Sequence, residues 1–321
     1  MKFLLAHPSV APFVQQVGRA LWEAEMLENF ATTLTDHSEA TWRKIICQSA
    51  RMLNIDLESQ IQRRAIKEFP LDVVINYPWG EIANLLARKF DRDGIISDFV
   101  WEKTEPGWFM DWVASLLEKS DRTFNAMYCY EYCSLKIFKK ARELNIARIY
   151  DVPAPEHDFV HRILQKELDK FPELATPYRK KVEKKHEERT QLRRNEWNLA
   201  DLVIANSEFT KNSYASAGLD VNKVMVVPYG SPPLRLNGVL GGTKTDQPMR
   251  FLWAGTFSIR KGAHYLLEAW KQINPANASL QVLGAMGLPL RLLQDLPKSL
   301  TISGTVPRSQ LYEIYHHSDL Y

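Results

Sequence analysis

The sequence predicts an α/β protein with parallel sheets covered by helices on both faces. Three observations carry this. Short apolar runs rich in Val, Ile and Leu recur, separated by longer stretches of helical periodicity. Strands apolar on both faces and alternating with helices belong to parallel sheets. The length of 321 residues fits about two domains of roughly 150 residues. Residues 230–248 concentrate four Gly and three Pro, a composition typical of an interdomain linker. The expected organisation is a first domain over 1–230, a linker over 231–248 and a second domain over 249–321. One run of strand–helix units lies on each side of the linker.

In chain order, strands are expected at residues 2–6 (KFLLA), 72–76 (DVVIN), 146–150 (IARIY), 201–205 (DLVIA) and 223–227 (KVMVV). Those at 250–254 (RFLWA), 280–284 (LQVLG) and 299–303 (SLTIS) follow the linker, and Ser318 to Tyr321 opens another. Helical periodicity covers 12–29 through Phe13, Val17, Leu21 and Leu27. It covers 261–273 through Ala263, Leu266, Leu267, Ala269 and Trp270, and 308–317 through Leu311, Ile314 and Tyr315. Residues 178–197 mix charges of both signs, and Val182 and Leu192 make no continuous stripe. A solvated helix laced with Glu–Lys pairs is expected there. The sharper reading is a basic surface in peripheral contact with an anionic membrane at its inner face, or with an acidic acceptor.

Apolar residues make up 45% and charged residues 25%, the range of soluble globular proteins. Disordered, collagen-like and simple coiled-coil chains are thereby excluded. Lys+Arg minus Asp+Glu is 41 − 38, or +3, without the basic stripe of a nucleic-acid binder. Cys47, Cys129 and Cys133 are too few for a disulfide framework, which points to a reducing, cytoplasmic setting. The four-residue spacing of Cys129 and Cys133 fits one face of a helix, with both thiols buried as structural groups. The apolar start is cut short by His7 and Pro8 and reads as a buried strand rather than a signal peptide. No run approaches the ~18 apolar residues of a membrane span.

No P-loop, no G-x-G-x-x-G after a strand, no G-x-S-x-G and no H-E-x-x-H occurs. Asp91-Arg92-Asp93 has the spacing of a metal–diphosphate pair, but it follows a helical pattern and precedes Gly94. It reads as a capped turn, so no metal site is expected.

The informative segment is RFLWAGTFSIRKG, Arg250 to Gly262. A buried strand ends at Gly255, a short loop follows, and a helix begins near Lys261. Ligands of open α/β sheets bind beyond the carboxyl ends of strands. A helix N-terminus offers free N–H groups to an anion. Arg260 and Lys261 add two charges where the dipole disfavours cations, so a diphosphate is the expected occupant.

This segment, extended to RFLWAGTFSIRKGAHYLLEAW, resembles the first strand–loop–helix of the nucleotide-sugar domain in glycosyltransferase family 4. LADLVIANSEFT (199–210), VMVVPYG (224–230), ISGTVP (302–307) and YHHSDLY (315–321) resemble its further motifs in the same order. The resemblance implies two facing Rossmann-like domains of the GT-B type, with the substrates between them. It implies transfer of a sugar from a nucleotide-diphosphate sugar, with retention and without a metal or other cofactor. The acceptor could be a lipid, a glycan or a small molecule; no nucleic acid is involved. Gly255, Arg260, Lys261 and Gly262 would hold the donor, Lys261 as the diphosphate lysine. Thr305 and Val306 fall where main-chain groups meet the nucleobase. Thr256 stands where the family often has arginine. Asp151, then His157, are the expected acceptor-side catalytic residues beyond the 146–150 strand, and His7 ends the first strand. The family's paired glutamates lie beyond the strand that Asp319 begins, so a glycosyltransferase fragment is expected, with an incomplete second domain that lacks part of the sugar-binding wall. A nucleotide-sugar epimerase and a non-catalytic scaffold are the competing readings.

Overall fold

The computed structural model describes residues 1–36, 57–62, 64–83, 107–119, 123–176, 183–230 and 248–321. Cys47, the Asp91–Asp93 pair, the helical pattern before it and residues 231–247 of the linker lie outside them. Two compact units result: Met1–His157 with Glu187–Gly230, and Asp158–His186 with Ser231–Tyr321.

The first unit is a seven-stranded parallel sheet. Its strands are β1 (Phe3–Ala6), β2 (Leu27–Thr32), β3 (Val74–Asn76), β4 (Ala126–Tyr130), β5 (Ala147–Val152), β6 (Leu202–Ala205) and β7 (Val224–Val226). Their order is β3-β2-β1-β4-β5-β6-β7, so the winding reverses between β1 and β4. Helices α1 (Pro12–Glu23), α2 (Leu57–Gln62), α3 (Phe109–Leu117) and α4 (Leu135–Glu143) belong to this unit. The core is continuous across the sheet, with Leu4, Leu5, Phe30, Met127, Tyr150 and Val203 fully buried.

Two expectations change here. The helical pattern expected over 12–29 ends at Glu23. Glu25 takes a left-handed φ of 55° and turns the chain, so that Leu27 opens β2 opposite Phe3. Pro12 sits at the first helical turn, where its missing N–H costs no hydrogen bond. Cys129 and Cys133 do not share a helix face. Cys129 lies in β4, whose five residues are all buried. Tyr132, at φ 76°, reverses the chain before α4, where Cys133 donates its thiol to the Tyr130 carbonyl. Both cysteines are buried, as expected.

The second unit holds β8 (Met249–Ala254), β10 (Ala278–Leu283) and β12 (Leu300–Ile302) in a parallel sheet of order β12-β10-β8. A short pair, β9 (Phe257–Ser258) and β11 (Met286–Gly287), lies beyond its carboxyl end. Leu320 makes a parallel bridge to Phe251 on the other side of β8, as the opening of a strand there requires. The order therefore repeats the first unit's, with its reversal next to β8.

Helix α5 (His157–Lys170) opens in the first unit and continues in the second. Helix α6 (His186–Leu199) returns to the first, followed by α7 (Glu208–Ala215); α8 (Ala263–Ile273) and α9 (Arg308–His316) complete the second. The sequence-based division puts 158–186 in the first domain, whereas its contacts group it with the second. Leu168, Phe171 and Leu174 bury against the cluster of Phe257, Leu267 and Trp270. Glu167 accepts a hydrogen bond from the Tyr265 hydroxyl at 2.6 Å. It also pairs with Lys170 at 3.0 Å and lies 3.4 Å from His264 Nε2. Nor is the charged stretch wholly solvated, since α6 buries Thr190, Glu196 and Trp197.

Candidate functional site

In the second unit, neighbouring strand ends form the site. Gly255 after β8, Gly284 after β10 and Gly304 after β12 have φ of 138°, 143° and 66°, values that favour glycine. Gly255 N–H donates to the Leu283 carbonyl at 2.8 Å, and Gly284 N–H to the Gly304 carbonyl at 2.7 Å. The chain then crosses from β9 to a tight 3-10 turn, Ile259–Lys261. Gly262, at φ 75°, turns it into α8. Lys261 therefore lies in the turn, two residues ahead of the helix expected to start near it. Gly262 supplies the left-handed step that a bulkier residue would resist.

Arg260 and Lys261 are exposed, as are Gly255 and Thr305, while Gly262 and Val306 are partly covered. The structure brings the Gly255 and Gly304 turns together, with Thr305 next in the chain. Gly284, which joins them, escaped the sequence reading, although its place at the end of an apolar run was the available signal. A Cβ on Gly284 would lie 2.0 Å from the Gly255 carbonyl oxygen. Gly284→Ala is therefore expected to part β8 from β10 at this edge. The loss should be about 1–3 kcal/mol, read as a lower unfolding midpoint; an unchanged midpoint would contradict the close approach.

In the first unit, Asp151 and His7 lie at strand ends around the β1–β4 reversal. Asp151 is on β5 and 5% exposed. One of its oxygens accepts the Tyr128 hydroxyl at 2.7 Å. Burial pushes its carboxyl up to about 6, against that hydrogen bond, and Glu131 adds to the rise. His7 follows β1, with Nδ1 2.9 Å from the Ser9 amide nitrogen. Burial lowers its imidazole to about 4, so it is neutral at pH 7. The His7 ring meets Tyr130 edge-on at 4.9 Å and Phe13 at 5.9 Å. His157, the first residue of α5, is placed differently, with Nδ1 2.7 Å from the Thr190 hydroxyl on α6. Asp151 and His157 are thus held by different partners.

Beside this cluster is a buried charge set that sequence reading missed. Glu196 on α6 accepts from the backbone N–H groups of Tyr132 and Ser134 at 2.7 Å each and Leu135 at 3.2 Å. It also accepts the Tyr150 hydroxyl at 2.8 Å. A carboxylate from a distant helix thus caps the start of α4. Arg193, one turn earlier, lies 3.5 Å from Glu131 and 4.7 Å over the Tyr132 ring. Among the described residues no group of three or more His, Cys, Asp and Glu could hold a metal ion. No helix among them is long and apolar enough to cross a membrane.

Two Rossmann-like units of this winding in one chain are the GT-B class of fold. Its similarity to solved structures is of that kind. The lipopolysaccharide outer core galactosyltransferase WaaB, in its apo form, is 13% identical with a TM-score of 0.50, covering 98% of this chain and 71% of that one. Alr3699/HepE of Anabaena, in complex with UDP, is 13% identical with a TM-score of 0.52, covering 100% of this chain and 73% of that one. No protein-family model matches the chain, and neither does any curated protein.

Proposed function

We propose that the chain is a glycosyltransferase resembling family 4, which moves a sugar from a nucleotide-diphosphate sugar to an acceptor with retention and without a metal. The carrying observation is the Gly255–Gly262 loop. In a GT-B fold, a positive-φ glycine ends the strand at the winding reversal, and two exposed cations follow it. Such a crevice is where open α/β sheets take ligands. The UDP bound to Alr3699/HepE supports a uridine nucleotide as the first donor to try.

In this reading Arg260 and Lys261 meet the diphosphate, and the tight Gly255 and Gly262 turns bring main chain close to it. Negative charge grows on the diphosphate as the sugar leaves, and the two cations stabilise it there. Thr305 and Val306 present main-chain groups to the base. On the first unit, Asp151 draws the proton from the acceptor hydroxyl. A carboxyl near 6 is suited to that role, being ionised at pH 7 and still basic.

The test is calorimetric titration of the chain with UDP, GDP and ADP, with and without EDTA, repeated on Lys261→Ala. One nucleotide is expected to bind, and EDTA should leave its affinity unchanged. Lys261→Ala should weaken it about ten- to a hundredfold, as loss of a charge-assisted contact does. A folded chain that binds no nucleotide, or binds it equally well without Lys261, would refute the donor assignment.

A further inference from the structure

We propose that the acceptor held by the first unit is a neutral, hydroxyl-bearing ring compound seated on Phe13 and Tyr229, one of its hydroxyls completing the unpaired Tyr130 hydroxyl behind them, and that anionic acceptors are rejected. This rests on the acceptor assignment above and adds the chemical class.

Ring geometry is the first ground. At the winding reversal, Tyr130 lies 5.4 Å from Phe13, 5.6 Å from Tyr128 and 4.9 Å from His7. Tyr229 continues the cluster 6.2 Å from Phe13, with the rings inclined by only 35°. Tyr229 is 54% exposed, although the rings behind it are largely buried. A buried aromatic wall that runs out to an exposed ring is a surface for a flat or ring-shaped partner.

The second ground is an unpaired hydroxyl. Tyr130 is 1% exposed, and its hydroxyl has no hydrogen-bond partner among the described residues. Buried polar groups are almost always paired, so an exception marks a place where a ligand hydroxyl can complete the set.

Charge supplies the third ground. Among the described residues, the groups acting on the Asp151 carboxyl are Tyr128 and Glu131, with no cation among them. Arg193, the cation beside Glu131, is engaged by that carboxylate and the Tyr132 ring. His7, held neutral by burial, offers no positive charge at pH 7. A phosphate or carboxylate brought here would meet the Asp151 carboxylate with no described cation free to offset it.

Phenyl β-glucoside and phenyl β-glucuronide differ by one carboxylate and serve as probes. Each is titrated calorimetrically into the whole chain at neutral pH, alongside UDP. The glucoside is expected to bind, and the glucuronide to bind about tenfold more weakly or worse. Asp151→Asn should shrink that ratio, which a merely structural role would not do. Tyr130→Phe removes only the unpaired hydroxyl, so folding and UDP affinity should hold. Glucoside affinity should fall about two- to tenfold, the worth of one hydrogen bond.

Glucuronide binding as tight as glucoside binding would overturn the proposal, as would a Tyr130→Phe variant of unchanged glucoside affinity. A chain that binds UDP but not the glucoside would overturn it and leave the transferase reading standing. A chain that binds the glucoside but no nucleotide would support the neutral ring site and sink the transferase reading.

Discussion

Glu196→Ala is expected to destabilise the chain by about 3–5 kcal/mol, the usual loss when one partner leaves a buried charged set. The substitution strands the Ser134 amide and the Tyr150 hydroxyl, both fully buried, and the partly buried amides of Tyr132 and Leu135. It also uncaps α4. Against a total stability of roughly 5–15 kcal/mol for a domain, that loss is from about a fifth to all of it. Equilibrium denaturation in urea measures the effect; a loss below about 1 kcal/mol would mean that water replaces the carboxylate. The pH dependence follows from the same contacts. Burial lifts the Glu196 carboxyl to about 7, against its hydrogen bonds and Arg193. The folded state then holds a proton that the unfolded state has lost. This contribution is fully present below about pH 4.5 and declines as pH rises through 7. Glu196→Gln should flatten that decline.

Asp151→Asn is expected to lower kcat/KM about 10²–10⁴-fold, the contribution of a positioned general base. The amide keeps the shape and can still accept the Tyr128 hydroxyl, so donor affinity should be little changed. In the parent chain, activity should rise with pH through about 6, where burial places the carboxyl, because the base must lose its proton. The variant should lack that limb. Release of UDP from UDP-sugar in the presence of the phenyl glucoside measures both. A variant that retains the limb would transfer the role to another group. His7 cannot supply it, since its imidazole titrates near 4. Stability has the opposite linkage at these two residues. The raised Asp151 carboxyl makes the fold less stable as pH rises from about 4 to 6. The lowered His7 imidazole makes it more stable from about 4 to 6.5. The net slope over that range is therefore shallow at this site.

How far a segment could be read depended on where its side chains are buried. DLVIA and RFLWA are apolar on both faces and form β6 and β8. Leu27–Thr32 escaped notice because Glu28 and Asn29 interrupt its apolar run. Asn29 is paid off by the Val73 carbonyl, 3.4 Å away, a partner 44 residues distant. Ala126–Tyr130 carries two tyrosines and a cysteine, and its complete burial goes with a central place in the sheet between β1 and β5. The Gly255–Gly262 loop is legible because its glycines, cations and helix start are contiguous in the chain. The first unit's site was legible only in part. Asp151 and His7 could be named from strand ends, but Tyr130 and Tyr229 meet them only through the winding of the sheet.

Local pattern in the chain specifies the α/β class, the strand ends that carry Gly255 and Asp151, and the cationic turn before α8. Each of these depends on residues within a few positions of one another, where periodicity, glycine and charge act locally. Tertiary structure alone decided that Glu196 caps a helix starting at Leu135, 61 residues away. It decided that Glu167 binds Tyr265, 98 residues away, which draws 158–186 into the second unit. It also set Gly284 against Gly255. Such contacts depend on which buried polar groups and close-packed backbones the sheet order brings together, and no local pattern records that order.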